Sequence, residues 1–287
     1  MQPERRTIFI TGSTDGVGRI VGKKLASPDV QLLIHGRNRD HGEQLVKEVK
    51  GDGGSASFYQ ADLSSLNEVR SLAEKVRADH QRLDVLINNA GIGFGPPNGE
   101  RETSKDGHEL RFAVNYLAPF LLTRLLLPTL KASAPARIVN VASLGQAPID
   151  FDDIMMTKGY DGTLAYRRSK LALAMFTFDL AEELEGTGVT ANCLHPATFM
   201  DTHMVQEAHI KPQSTPEEGA DAIVHLAMSS DVEGRTGKFF DGMRESRPLE
   251  QAFDRDARGR LRQPSFELTG LSSDAEADGA REATHAL

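Results

Sequence analysis

The 287-residue chain has one cysteine and no tryptophan, and aromatic residues make up only 6% of it. A single thiol, Cys193, excludes any internal disulfide. It sits in the apolar run "VTANCLHP", which favours a packed structural thiol over a nucleophile. One cysteine and nine scattered histidines offer no zinc-ligand spacing, so no metal is expected. A net charge of −8 argues against nucleic acid or an anionic membrane surface as the main partner. Long apolar runs are also scarce. "YLAPFLLTRLLLP", residues 116–128, is broken by Pro119, Arg124 and Pro128, and is too short to span a bilayer. It reads as a buried helix ending near Lys131. The N-terminal "MQPERRTIFITGS" has neither a signal-peptide core nor a cleavage site. A soluble, cytoplasmic protein without a membrane anchor is the expectation.

What remains is ordinary for a globular protein, with 39% hydrophobic and 26% charged residues. Short β-rich runs at 7–11, 30–36, 55–63, 83–91, 136–144, 189–196 and 237–243 alternate with amphipathic helical stretches. Such alternation predicts an α/β fold: a single-domain, doubly wound parallel sheet of about seven strands with helices on both faces. The strands are near-continuous apolar runs, as burial on both faces requires. One domain is expected over 1–270, with 249–270 as a peripheral helix. Residues 271–287, "LSSDAEADGAREATHAL", lack an apolar face and read as a disordered tail.

Two local patterns carry chemistry. The first strand runs into "TGSTDGVG", Thr11 to Gly18, and a helix follows. Gly12, Gly16 and Gly18 allow backbone to approach a pyrophosphate, and the helix start supplies free N–H groups and a positive dipole end. The whole loop, Gly12, Ser13, Thr14, Asp15, Gly16, Val17 and Gly18, is therefore a candidate phosphate cradle. A plain glycine turn is the alternative. The second pattern is "YRRSK", in which Tyr166 and Lys170 share one helical face. Taken alone, a surface tyrosine beside a surface lysine would explain it.

Together, "TGSTDGVG", "NNAG" (88–91) and "YRRSK" resemble the short-chain dehydrogenase/reductase family over about residues 7–245. The stretch "DFDDIMMTKGYDGTLAYRRSKLALAMFTFDLAEEL" is similar to its retinol-dehydrogenase-like sub-type. The resemblance implies a Rossmann-type fold and a catalytic set of Asn115, Ser143, Tyr166 and Lys170. A phenol ordinarily titrates near about 10, too high for easy proton exchange at neutral pH. The Lys170 cation and an oxidised nicotinamide are expected to lower it. Tyr166 would then give a proton to a carbonyl oxygen as hydride arrives, or take one from an alcohol in reverse. Ser143 would hold that oxygen, and Asn115 would position a water joining Lys170 to solvent. A strand-end serine and a locally bonded helix asparagine are the plain alternatives.

The same resemblance assigns the nucleotide contacts. Where NAD-dependent members carry aspartate after the second strand, this chain has Gly36, followed by Arg37 and Asn38. A guanidinium grips a 2′-phosphate that a carboxylate would repel, so NADP(H) is favoured over NAD(H), with Arg37 the selector and Asn38 assisting. Asp15, where many NADP-preferring members carry a basic residue, works against that preference. Asp62 and Leu63 are expected on the adenine side, although Asp62 equally suits a helix start. Asn89, Ala90 and Gly91 are expected beside the ribose, with Asn88 able to stabilise the sheet centre. Pro196, Thr198 and Thr202 would hold the carboxamide.

Two segments, 144–165 and 197–214, are long enough to cover a pocket at the strand ends. Ser143, Tyr166, Phe94, Met155, Met156 and Phe199 are its candidate substrate residues; filling gaps between helices is the alternative for the methionines. A small, mainly apolar ketone or aldehyde, or its alcohol, fits such a lining. Other readings are a non-catalytic NADP(H)-binding regulator and a sugar-nucleotide epimerase or dehydratase. A homodimer or homotetramer through the helix bearing Tyr166 is open.

Overall fold

In the computed structural model, which describes residues 5–207 and 211–272, the apolar runs become parallel strands. They are β1 (Arg6–Ile10), β2 (Val30–Gly36), β3 (Ser55–Gln60), β4 (Val85–Asn88), β5 (Ala136–Val141), β6 (Val189–His195) and β7 (Lys238–Asp241). An eighth strand, β8 (Arg244–Ser246), was not expected from the sequence. It pairs antiparallel with β7 across a tight turn in which Gly242 takes φ +59°. The sheet order is β3-β2-β1-β4-β5-β6-β7-β8. Several strands end earlier than their apolar runs, because the residues beyond Ile10, Gln60, Asn88 and Val141 turn out of the sheet to build loops.

Helices cover both faces, and side chains in the sequence start most of them. Asp15 caps α1 (Gly16–Leu25), Asn38 caps α2 (Arg39–Gly51) and Ser65 caps α3 (Leu66–Asp79). Asp161 caps α6 (Gly162–Glu183), and Thr215 caps α8 (Pro216–Met228), where Pro216 opens the first turn. Alternation along β1 divides the core. Ile8 and Ile10 face α1, α2 and α8, whereas Phe9 faces the larger cluster built with α3, α6 and the helix after β4.

That last helix corrects the sequence reading. A single turn α4 (Leu110–Phe112), a π-helical turn (Ala113–Leu117) and α5 (Ala118–Ala132) run on as one 23-residue helical stretch. By length and composition it could cross a bilayer, but most of it is buried inside the fold. Its irregularity has a cause. Pro119 cannot donate to the carbonyl of Asn115 four residues back, and Ala118 N–H instead reaches the Ala113 carbonyl. Cys193 is fully buried, and burial pushes its thiol up to about 12, in keeping with a structural role.

The expected peripheral helix is α9 (Arg255–Thr269), closed by Gly270 at φ +61°. It covers the outer side of α5 and α6. Phe266 meets Phe120 edge-on at 5.3 Å, and Tyr116 Oη lies 2.6 Å from Ser265 Oγ. Arg258 and Arg262 reach Glu182 and Asp179 on α6 at 2.8 and 3.0 Å. Leu271, just beyond α9, still packs on the core. The tail expected to be disordered lies, from residue 273 on, outside the described residues.

Because Phe266 anchors α9 to this aromatic cluster, Phe266→Ala is expected to destabilise the protein by about 3 kcal/mol or more. Denaturant unfolding followed by circular dichroism checks it; a loss under about 1 kcal/mol would show that α9 is not part of the cooperative core.

Candidate active site

The strand order reverses direction between β1 and β4, so the loops leaving these strands diverge and open a crevice. The glycine loop leaves β1 and the Asn89-Ala90-Gly91 turn leaves β4. They interlock: Asn89 Nδ2 donates to the Thr11 and Gly12 carbonyls, both at 3.0 Å, and Thr11 Oγ1 accepts from the Asn89 and Ala90 amides. A Cβ on Gly18 would meet the Gly12 carbonyl oxygen at 2.1 Å, so only glycine fits there. Gly16, by contrast, has φ +50° and open space beside it, with Thr202 Cγ2 its nearest neighbour at 4.0 Å. The loop thus presents bare backbone at a helix start, the shape a pyrophosphate requires. Asp15 is committed to the loop itself, accepting from Gly16 N–H at 2.7 Å. Ser13 is fully buried and donates to the Ile10 carbonyl, while Val17 and Thr14 are buried in the loop's underside.

Across the crevice, four side chains expected to act together do converge. Tyr166 is buried on α6, with the Ser143 hydroxyl hydrogen-bonded to its phenol. Lys170 Nζ donates to the Val141 carbonyl at 2.8 Å and lies 5.7 Å from the centre of the Tyr166 ring. Asn115 sits in the π-helical turn, a frequent mark of functional sites. Its side chain is fully used: Oδ1 accepts from Ile92 N–H, and Nδ2 donates to the Ile92 carbonyl and to Ser169 Oγ. The group of Asn115 that Pro119 leaves without its helical donor is the backbone carbonyl. Gly91 completes the cluster, since a Cβ there would lie 3.2 Å from Asn115 Oδ1 and 3.4 Å from Lys170 Nζ.

One electrostatic expectation is corrected. Burial pushes the Tyr166 phenol above its ordinary value, and the Ser143 hydrogen bond only partly offsets this. Burial also lowers the Lys170 ammonium to about 8. The protein alone therefore favours a neutral phenol, because desolvation outweighs the Ser143 hydrogen bond.

The remaining nucleotide candidates are placed unevenly. Arg37 is exposed at the end of β2. Gly36 before it is packed on Thr14: a Cβ would fall 2.3 Å from Thr14 Oγ1, so an aspartate has no room there. Asn38 uses its side chain to cap α2 through His41 N–H. Asp62 accepts from Ser64 N–H at 3.0 Å and pairs with Lys105 at 3.3 Å, while Leu63 is buried beside it. Asn88 lies in the sheet centre, bonded to Thr123 and Asn140. Pro196 is buried, Thr198 Oγ1 pairs with His195 Nε2 at 3.0 Å, and Thr202 Oγ1 donates to the Met200 carbonyl.

Of the substrate candidates, Phe94 lies directly on the phenol, edge-to-face at 4.6 Å between ring centres. Phe199 is half-buried, with φ +44°, a strained backbone of the kind that collects near ligand sites. Met204, on α7 (His203–Glu207), reaches the loop of Phe94: a Cβ on Gly93 would meet its Cγ at 2.6 Å. The methionines lie deeper. Met156 is 3% exposed and Met155 packs on the main core cluster, so both fill space between elements.

Residues 6–213 match the short chain dehydrogenase family. The chain belongs to that family. It is 36% identical to retinol dehydrogenase 13 of Mus musculus, over 98% of this chain and 88% of the mouse protein. It is 34% identical to the polyprenol dehydrogenase of Homo sapiens, over 93% and 86% of the two chains. Among solved structures, an uncharacterised protein from Mycobacterium paratuberculosis superposes with a TM-score of 0.74 at 26% identity, covering 94% of this chain and 96% of that one. Pseudomonas aeruginosa RhlG in its NADP complex gives 0.67 at 27% identity, with 84% and 97% covered. The protein is thus a short-chain dehydrogenase of the retinol-dehydrogenase-like type, an oxidoreductase that interconverts carbonyl and alcohol groups.

Several supports of this short-chain dehydrogenase site escaped the sequence reading. Ser169 holds Asn115, and its place one residue before Lys170 was the available signal. Gln146 donates to the Ser143 carbonyl and accepts from Leu249 N–H, and the Gln251 amide pairs with both backbone groups of Ile149. His35 lies buried under the glycine loop, where Gly12 N–H donates to Nδ1 at 3.1 Å. Its Nε2 therefore carries the proton. Nothing local in the sequence marks these ties, which join distant segments.

Burial lowers the His35 ring to about 4. The unfolded chain takes up that proton near about 6.5, so it binds more protons than the fold between these values. Stability is expected to fall as pH drops through this window, by up to about 3 kcal/mol from His35. His35→Asn keeps an acceptor for Gly12 and should flatten part of the decline in urea melts at pH 7 to 4.5. An identical pH profile in the variant would refute the assignment.

Proposed function

We propose that this chain is an NADP(H)-dependent reductase/dehydrogenase for a small, mainly apolar ketone or aldehyde and its alcohol, with Tyr166 as the proton donor and acceptor. The observation that carries the reading is the convergence of Tyr166, Ser143, Lys170 and Gly91 on one crevice opposite the bare glycine backbone.

The crevice fits a dinucleotide. Gly12 to Gly18 would cradle the pyrophosphate, Arg37 would meet a 2′-phosphate, and Asp62 with Leu63 would border the adenine. Asn89, Ala90, Gly91, Lys170, Pro196, Thr198 and Thr202 would line the ribose and carboxamide end. When bound, the nucleotide supplies or accepts the hydride. The exclusion of an aspartate at Gly36 by Thr14, and the solved relatives that carry NADP, support NADP(H) over NAD(H).

The residues do the rest. Ser143 donates to the substrate oxygen and holds it beside the phenol. In reduction Tyr166 Oη gives its proton to that oxygen, and the neutral phenol favoured by burial is the form this step needs. Lys170, cationic below about 8, then stabilises the phenolate. The Asn115 carbonyl, which Pro119 leaves without its i+4 donor, would bond a water through which the proton is restored. Phe94 forms an apolar wall at the phenol, with Phe199 beside the opening. The names of two relatives, retinol dehydrogenase and polyprenol dehydrogenase, refer to apolar alcohols and agree with that lining.

Nucleotide oxidation against a panel of apolar ketones and aldehydes tests the reading. Tyr166→Phe should lower turnover by about 10³-fold while nucleotide affinity stays within about twofold; retained activity would remove the proton-transfer role. Arg37→Asp should weaken NADPH by roughly tenfold or more relative to NADH. An unchanged NADPH/NADH ratio would show that Arg37 is not the selector.

A further inference from the structure

Arg111, on α4, is a buried guanidinium that the proposed reaction does not use; its side chain is only 4% exposed. Its Nε donates to the Gly93 carbonyl at 3.0 Å and its Nη1 to the Tyr160 hydroxyl at 2.7 Å. Tyr160 in turn donates to Glu109 Oε1 at 3.1 Å. Glu109, 1% exposed, accepts from Phe112 N–H at 2.6 Å and faces Arg111 Nη1 at 3.5 Å. Arg111 Nη2 also lies 3.5 Å from Glu102. Every charge in the group is paired and hydrogen-bonded, the condition under which burial is tolerated.

These bonds join segments that border the proton donor. Gly93 is in the loop after β4, and Tyr160 lies in the 144–165 segment, two residues before α6 begins. The loop between them has no slack. A Cβ on Gly95, at φ +76°, would fall 2.2 Å from Arg111 Nη2, and one on Gly162 would fall 2.2 Å from the Phe94 carbonyl oxygen. From this fitted backbone the Phe94 ring meets the Tyr166 ring at an interplanar angle of 70°.

We propose that Arg111, Tyr160 and Glu109 form a positioning clamp that sets Phe94 against Tyr166, fixing the apolar wall where substrate meets the proton donor. The proposal rests on the roles assigned above to Tyr166 and Phe94. The three residues act through Phe94 and touch no reacting atom. Loosening the clamp loosens the wall, so substrate binding weakens while nucleotide binding does not.

Tyr160→Phe is the variant of choice, because it removes one hydroxyl and leaves the ring that packs 6.0 Å from Arg111 Cζ. Hydrogen exchange on the full chain without substrate reads the loop directly. The Ile92 and Gly99 amides, which flank the loop and are bonded to Asn115 Oδ1 and the Pro96 carbonyl, should exchange about tenfold faster or more in the variant, with sheet amides unchanged; equal protection overturns the clamp. A double-mutant cycle then reads its route. Tyr160→Phe should raise KM for an apolar carbonyl substrate about tenfold with kcat within about twofold, and should add nothing in a Phe94→Ala background. Additive effects would overturn positioning through Phe94. A wild-type protein that turns over no carbonyl compound would count against the reaction, while the exchange result would still decide the clamp.

Discussion

Where β1 and β4 end side by side, Gly12 packs so closely on Ala90 that a Cβ would fall 2.7 Å from Ala90 Cα. That contact sets the geometry of both walls of the crevice. It brings Thr11 within reach of the Asn89 and Ala90 amides, and Asn89 within reach of the glycine loop's carbonyls. Gly91, next in the chain, is thereby placed against Asn115 and Lys170. A side chain at Gly12 would push the two loops apart and separate the phosphate cradle from the Tyr166 end. The parallel sheet supplies the approach, since β1 and β4 are neighbours only where the strand order reverses.

Burial governs the electrostatics on both sides of that contact. His35 under the glycine loop is held neutral and so keeps Nδ1 free to accept from Gly12 N–H. Tyr166 and Lys170 are likewise pushed toward their neutral forms. The two shifts oppose each other in consequence: a raised phenol holds its proton more firmly, and a lowered ammonium gives up charge more easily. At neutral pH this leaves a protonated phenol beside a largely cationic lysine. A site so biased holds the protonated phenol that reduction starts from, and charge brought in by a ligand can loosen its hold on that proton.

The fold was legible in the sequence because strand and helix periods alternate without interruption from β1 to β7. The glycine loop, Tyr166, Lys170, Ser143 and Asn115 were legible because each lies at a fixed place on one element. β8 was missed because three mostly exposed residues carry no apolar signal, although the Asp241-Gly242 pair marks its turn. The buried ties of His35, Gln146, Gln251 and Arg111 were missed for a different reason. Each joins segments far apart in sequence, and no local pattern records which backbone group a side chain will meet. For Met155 and Met156 apolar character near a site suits lining and gap-filling alike, and only their packing in the fold tells their place.

Pro119 links these levels of description. In the sequence it interrupts an apolar run and shortens the expected helix. In the structure the helix passes through it by widening to a π-helical turn. The missing N–H leaves the Asn115 carbonyl without its usual donor. The side chain of the same residue is spent on Ile92 and Ser169. The side chain of Asn115 therefore has a task of its own: its amide ties the loop after β4 to α6. A helix without Pro119 would regain that donor and could keep the regular i to i+4 ladder, and the turn that presents the Asn115 amide to Ile92 and Ser169 would lose its cause.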